Sequence, residues 1–301
     1  MPHLGAHMSV AGGLPLAVDR AVLHGCRALQ IFSRPSSQWR ARPLAPEEIA
    51  SFRERADAAG IVRPVSHASY LINLASAQPG LRRQSLEAFG DELDRAEALG
   101  LLGVVLHPGA YTTGTESGGL QLIAEGLAEL LAARSGGRTL VLLEQTAGQG
   151  TMLGYRFEQL AALLDQLDGH PRVGLCLDTC HLFAAGYDLT TAAGYDETFI
   201  ALDRLVGLDR VKVFHLNDSK KPCGSRVDRH EHIGKGCLGI EPFRRLLNDP
   251  RFAELPMVLE TPKAVSTSRG PVERDAYDEM NLGVLRELLA YPSANTSASN
   301  R

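Results

Sequence analysis

Between Phe214 and Gly239 the chain reads FHLNDSKKPCGSRVDRHEHIGKGCLG, where an apolar run ending in His215 passes abruptly into a loop dense with Asn, Asp, Lys, Arg and His. Asp228 and His230 are separated by one residue, so in extended backbone both side chains project to the same face. A carboxylate and an imidazole on one face, close to a third imidazole, can hold a metal ion. A solvated charged loop could show the same residues, so the weight falls on the rest of the chain.

The same residue types recur at the ends of short apolar runs. Leu4–Ser9, Ala28–Phe32, Val62–Ala68, Gly103–Pro108, Thr139–Glu144, Val173–Asp178, Val211–Asn217 and Met257–Thr261 read as strands, and six of these eight runs close on His67, His107, Glu144, Asp178, His215 and Glu260. His181 follows Asp178 by three residues, which in a first helical turn puts the two on nearly the same side. With Asp228 and His230 the set is five histidines and four carboxylates, a donor set suited to two or three Zn²⁺ or Mn²⁺ ions in an open catalytic cluster.

Amphipathic segments lie between the strands. In Leu81–Leu99, Leu86, Phe89, Leu93, Ala96 and Leu99 recur every three or four residues, the spacing of one helix face, and Gly60, Gly100 and Gly169 each stand where a helix C-cap belongs. Eight alternations of strand and helix predict a single-domain (β/α)8 TIM barrel with its functional groups at the C-terminal face of the strands. An open doubly wound sheet is the competitor, but no G-x-G-x-x-G follows an early strand.

A chain of 301 residues, 44% hydrophobic and 22% charged, can bury one large core. The expected domain is 1–290, followed by a Ser- and Asn-rich tail, 291–301, of disordered composition. No apolar run approaches the roughly 20 residues that span a bilayer, and the N-terminus lacks signal-peptide character, so a cytoplasmic protein with no membrane partner is expected. Five scattered cysteines read as free thiols. The formal charge of −4 argues against a nucleic-acid partner only if the acids lie on the binding face. Four carboxylates sharing a pocket with three divalent ions leave that pocket at about +2.

Eight ordered segments are similar to the endonuclease IV family of apurinic/apyrimidinic endonucleases: GAHMSVAGG, QIFSRPSSQW, SHASYLINLAS, LHPGAY, LLEQTAGQG, GLCLDTCHLFAAGYD, FHLNDSKKPCGSRVDRHEHIGKG and LETP. The likeness runs from about Leu4 to about Leu289 and includes all nine candidate ligands. It implies three zinc ions per chain, with Mn²⁺ able to replace one or more. His67 and His107 would hold the first, bridged by Glu144 to a second completed by Asp178, His215 and Glu260, while His181, Asp228 and His230 would hold the third.

Metal coordination lowers the pKa of bound water from about 15.7 to about 7, and paired ions brace both oxygens of an in-line displacement. The resemblance therefore implies hydrolysis of the phosphodiester 5′ to an abasic site in double-stranded DNA, leaving a 3′-hydroxyl and a 5′-deoxyribose phosphate. Removal of blocked 3′ ends would use the same cluster. Glu144, and secondarily Glu260, would orient or deprotonate the nucleophile, and a monomer suffices.

For DNA contact the resemblance implies Tyr70 and Leu71 as the wedge, supported by Gln38 and Trp39. Many members carry an arginine where this chain has Ser37; either Arg34 substitutes for it or the insertion is weaker in this chain. Lys220, Lys221, Arg226 and Arg229 fit phosphate contacts flanking the cut. Two rivals remain at this stage. One is a sugar isomerase or epimerase on the same barrel, for which a third-metal loop would be superfluous. The other is a non-catalytic protein that binds damaged DNA or stores zinc.

Overall fold

The computed structural model describes residues 1–264 and 272–289. Eight parallel strands close into a barrel: β1 (His3–His7), β2 (Ala28–Ile31), β3 (Val65–His67), β4 (Gly103–Leu106), β5 (Leu140–Glu144), β6 (Val173–Asp178), β7 (Val211–Leu216) and β10 (Pro256–Leu259). The order around the barrel follows the chain, with β1 lying between β2 and β10. A short antiparallel ribbon, β8 (Asp218–Ser219) with β9 (His230–Glu231), stands on top of β7. The expected (β/α)8 barrel is therefore present, and the expected tail 291–301 lies outside the described residues.

Several strands are shorter than their apolar runs. β3 begins at Val65 instead of Val62, and β4 and β10 end one residue before His107 and Glu260. Before β3 the run is broken by Arg63, which is exposed and lies in the left-handed region at φ 49°. Proline opens β10, where its missing N–H costs no ladder bond. Gly100 caps the helix Pro79–Leu99 in the left-handed region, φ 71°, as its position after the periodic run requires.

Two apolar layers hold the barrel. The larger lies between strands and helices, and in it Phe89, Leu93, Ala96 and Leu99 of the helix Pro79–Leu99 are buried. A small layer of Val65, Val105, Leu142, Cys176 and Val213, one residue from each of β3 to β7, fills the barrel interior. Side chains alternate across a strand, so the residues two positions further point inward one level higher. Those residues are His67, His107, Glu144, Asp178 and His215. The candidate ligands are thus the next interior layer, at the C-terminal mouth.

Candidate metal centre

Glu144 ends β5 with no exposed surface. Its Oε2 lies 3.1 Å from His67 Nε2 and 3.0 Å from His107 Nε2, while its Oε1 lies 3.0 Å from His215 Nδ1 and 3.3 Å from His181 Nδ1. One carboxylate thus stands between the His67–His107 pair on one oxygen and His215 on the other. Asp178 is the N-cap of the helix Thr179–Ala185 and accepts the His181 N–H at 3.0 Å, which fixes that ring one turn above it. Asp178 Oδ2 accepts from Asn217 Nδ2 at 2.6 Å and lies 3.9 Å from His215 Nδ1 and 3.7 Å from His230 Nε2. Asp228 reaches in from the ribbon loop, with Oδ2 3.1 Å from His181 Nε2 and Oδ1 3.2 Å from His230 Nε2. Glu260 Oε2 is 3.1 Å from His215 Nδ1.

The donor atoms of His67, His107 and Glu144 lie within 4.8 Å of one another, as do those of Glu144, Asp178, His215 and Glu260, and those of Asp178, His181 and His230. All nine residues expected at the cluster are therefore brought together.

Four of the five rings have their outward nitrogen committed. His67 Nδ1 donates to Ala68 O at 2.8 Å, His181 Nδ1 to Gln145 O at 3.0 Å, His230 Nδ1 to Glu260 O at 3.2 Å, and His215 Nε2 to Gln30 Oε1 at 2.8 Å. Each bond selects a tautomer and leaves a lone pair on the nitrogen facing the cluster. His181 Nε2 and His230 Nε2 are buried without a hydrogen-bond partner, although carboxylate oxygens lie close by. Imidazole nitrogens and carboxylate oxygens gathered in three adjoining groups, each within ligand reach, suit divalent cations that would take the place of the protons between them.

The electrostatics agree. Burial by itself would lower the His181 ring, but Asp178 and Asp228 hold it well above the ordinary histidine range. His230, pushed down by burial and up more strongly by Asp178 and Asp228, reaches about 9. His215 and His67 are raised in the same way, by Glu260 and Glu144 among others. The acids mirror this: burial raises Glu144, Asp228 and Glu260, yet the rings of His107 and His215, of His181 and His230, and of His215 respectively hold them low. Without cations the pocket neutralises its carboxylates with protons on its imidazoles. Cys176 and Cys180 lie beside the cluster, but burial pushes both thiols up to about 12, so they remain neutral.

Residues expected to touch DNA are arranged less uniformly. Tyr70 is 67% exposed at the mouth, its ring centroid 5.5 Å from that of His67 and 6.5 Å from that of His107; Leu71 beside it is half-buried. Gln38 is exposed, and Trp39 is half-buried against the core. Lys220, Lys221 and Arg229 are exposed on the ribbon loop. Arg226 is exposed but braces a neighbouring loop, donating to Gly148 O at 2.8 Å with its guanidinium 4.4 Å from the Tyr155 ring.

Arg34 corrects the expectation. It is 4% exposed and turns inward, donating to Ala88 O at 3.2 Å, Asp91 Oδ2 at 3.1 Å, Gln38 O at 3.3 Å and Trp39 O. A guanidinium that closes its own loop does not stand in for the arginine absent at Ser37.

Two site residues escaped sequence reasoning. Gln30 bridges His215 and Glu260, donating to the Glu260 carboxylate, and Asn217 bridges Asp178 and Glu260, accepting the Glu260 N–H at 3.0 Å. The available signal was a lone amide in an apolar run, as in Ala28-Leu29-Gln30-Ile31, where an unpartnered polar group would be costly.

The family model for xylose isomerase-like TIM barrels matches residues 18–288. A protein named probable endonuclease 4 from Chloroflexus aurantiacus is 53% identical over 289 residues, which cover 96% of this chain and 99% of that one. The crystal structure of endonuclease IV from Thermus thermophilus superposes with a TM-score of 0.82 at 40% identity, covering 95% and 98% of the two chains. A D-psicose 3-epimerase from Clostridium cellulolyticum, at TM-score 0.67 and 16% identity over 96% of this chain and 100% of that one, shares the fold alone.

Proposed function

The chain belongs to the endonuclease IV family of DNA-repair apurinic/apyrimidinic endonucleases, and from that membership we propose that it cuts the phosphodiester 5′ to abasic sites in duplex DNA. The products are a 3′-hydroxyl and a 5′-deoxyribose phosphate, and blocked 3′ ends are removed at the same centre. Three divalent ions, zinc or manganese, would be held by His67, His107 and Glu144; by Glu144, Asp178, His215 and Glu260; and by His181, Asp228 and His230. Bound there, such ions supply a water that loses its proton near neutral pH and offset the charge of the phosphate oxygens.

The observation that carries this reading is Glu144, whose Oε2 faces His67 Nε2 and His107 Nε2 while its Oε1 faces His215 Nδ1, all at 3.0 to 3.1 Å. That is the disposition of a carboxylate that bridges two cations. Glu260 is pinned through Oε1 by Gln30 and through its backbone N–H by Asn217, which leaves Oε2 turned into the site. Held ionised, that oxygen is an acceptor that can orient the attacking water, a role secondary to that of Glu144. Tyr70 and Leu71 fill the gap left by the missing base, where extrusion costs less than for a paired nucleotide. Lys220, Lys221 and Arg229 contact backbone phosphates.

A sugar epimerase on this barrel has no evident use for the extra group formed by His181, Asp228 and His230, whereas a departing 3′ oxygen does. The test is a duplex oligonucleotide carrying one tetrahydrofuran abasic mimic, incubated with and without chelator, alongside metal analysis. A single chelator-sensitive nick on the 5′ side with about three ions per chain is expected. An intact strand from fully loaded protein would overturn the reading.

A further inference from the structure

The helix Pro79–Leu99 carries, beside its core stripe, a second stripe of polar residues at helical spacing: Ser85, Glu92 and Arg95. Ser85 and Glu92 have no exposed surface and Arg95 is 8% exposed. Charged groups on the buried side of a helix are costly to desolvate, so what they bind is informative.

Each reaches one of two loops. Glu92 Oε1 accepts the Ser69 N–H at 2.9 Å, directly before Tyr70, and Ser85 Oγ accepts the Asn73 N–H at 3.0 Å. Arg95 Nε donates to Ser33 O at 2.9 Å and its Nη1 to Arg42 O at 2.9 Å, at the two ends of the loop that carries Gln38 and Trp39. Asp91 and the Ala88 carbonyl hold Arg34, which in turn holds Gln38 O and Trp39 O. The loops also meet directly, Ser69 Oγ donating to Ser36 O at 2.7 Å.

We propose that the Ser85–Arg95 stretch of this helix is a positioning platform, with Glu92 and Arg95 as its main residues, that fixes the spacing between the Tyr70–Leu71 loop and the Gln38–Trp39 loop and thereby sets discrimination of abasic from intact duplex. This rests on the DNA-repair reading above. None of these residues touches substrate. They act by keeping two loops in one register before DNA arrives, so that the ordering cost is not met on binding. Burial pushes the Glu92 carboxyl up to about 7, so the neutral amide of glutamine can replace it and still accept the Ser69 N–H.

The experiment measures affinity for a duplex bearing the tetrahydrofuran mimic and for the same duplex intact, with thermal midpoint and metal content as controls. Glu92→Ala and Arg95→Ala are expected to lower the ratio of the two affinities about tenfold each, Asp91→Ala about threefold, and Glu92→Gln less than about twofold. Asp91 is half-exposed, so its variant reports even if a buried substitution fails to fold. Variants that are folded and metal-loaded yet discriminate like the parent would overturn the platform alone. A parent protein that does not distinguish the two duplexes would overturn the underlying DNA reading instead.

Discussion

The cluster at the barrel mouth and the loops above it follow different rules. In the cluster, His67, His107, Glu144, Asp178 and His215 inherit their direction from a strand, two residues past an inward-facing apolar neighbour, so their convergence is a consequence of β alternation. In the loops, direction belongs to the side chain. Arg34 and Arg229 look alike in sequence, yet one is buried on four carbonyl and carboxylate partners and the other is exposed. Pattern predicts position where backbone geometry is imposed by a sheet. It predicts much less where a long side chain can find several acceptors.

That contrast can be broken most sharply at the cluster. Glu260→Gln is expected to lower turnover by about 10² to 10⁴ while duplex affinity stays near that of the parent; single-turnover kinetics with binding isotherms would check it, and unchanged turnover would remove Glu260 from proton handling. Gln30→Ala frees the Glu260 carboxylate and the His215 ring together, and metal affinity should fall by about 10- to 100-fold, read by chelator competition.

Acid should act on metal binding at the cluster. His181, His215 and His230 have raised folded-state values, that of His230 about 9, and a protonated ring cannot ligate. Metal uptake at neutral pH must therefore displace protons. Apparent affinity should weaken by about tenfold or more per unit as pH falls below about 9, with proton release visible in weakly buffered titrations; flat affinity from pH 9 to 6 would contradict the assigned ligands.

The smallest effects test the loops. Arg34→Ala should cost about 1 to 3 kcal/mol of stability and leave the salt dependence of DNA binding alone. Arg229→Ala should do the reverse, reducing the salt slope by about 1 with stability within about 0.5 kcal/mol of the parent. If both changed the slope, the inward arginine would be a DNA contact after all.

Much of this was readable beforehand for a physical reason. Eight apolar runs with acids and imidazoles at their ends, separated by periodic helices with glycine caps, allow few arrangements besides a closed parallel barrel, and the interior period of two was present as Val65/His67, Val105/His107, Leu142/Glu144, Cys176/Asp178 and Val213/His215. Gln30 and Asn217 were harder, because an amide's importance depends on partners up to 230 residues away that only barrel closure delivers. The exposed lysines and the buried arginine could not be told apart by charge.

The sequence by itself determined the repeat, the donor types and the level at which they gather, because strand alternation and helix period are local. The tertiary structure decided which nitrogen of each histidine faces inward, which carboxylate stands between His67 and His107 on one side and His215 on the other, and where Arg34 ends. Those depend on hydrogen bonds between groups brought together by packing, and for Gln30 with His215 and Glu260 by the meeting of the first and last strands as the barrel closes.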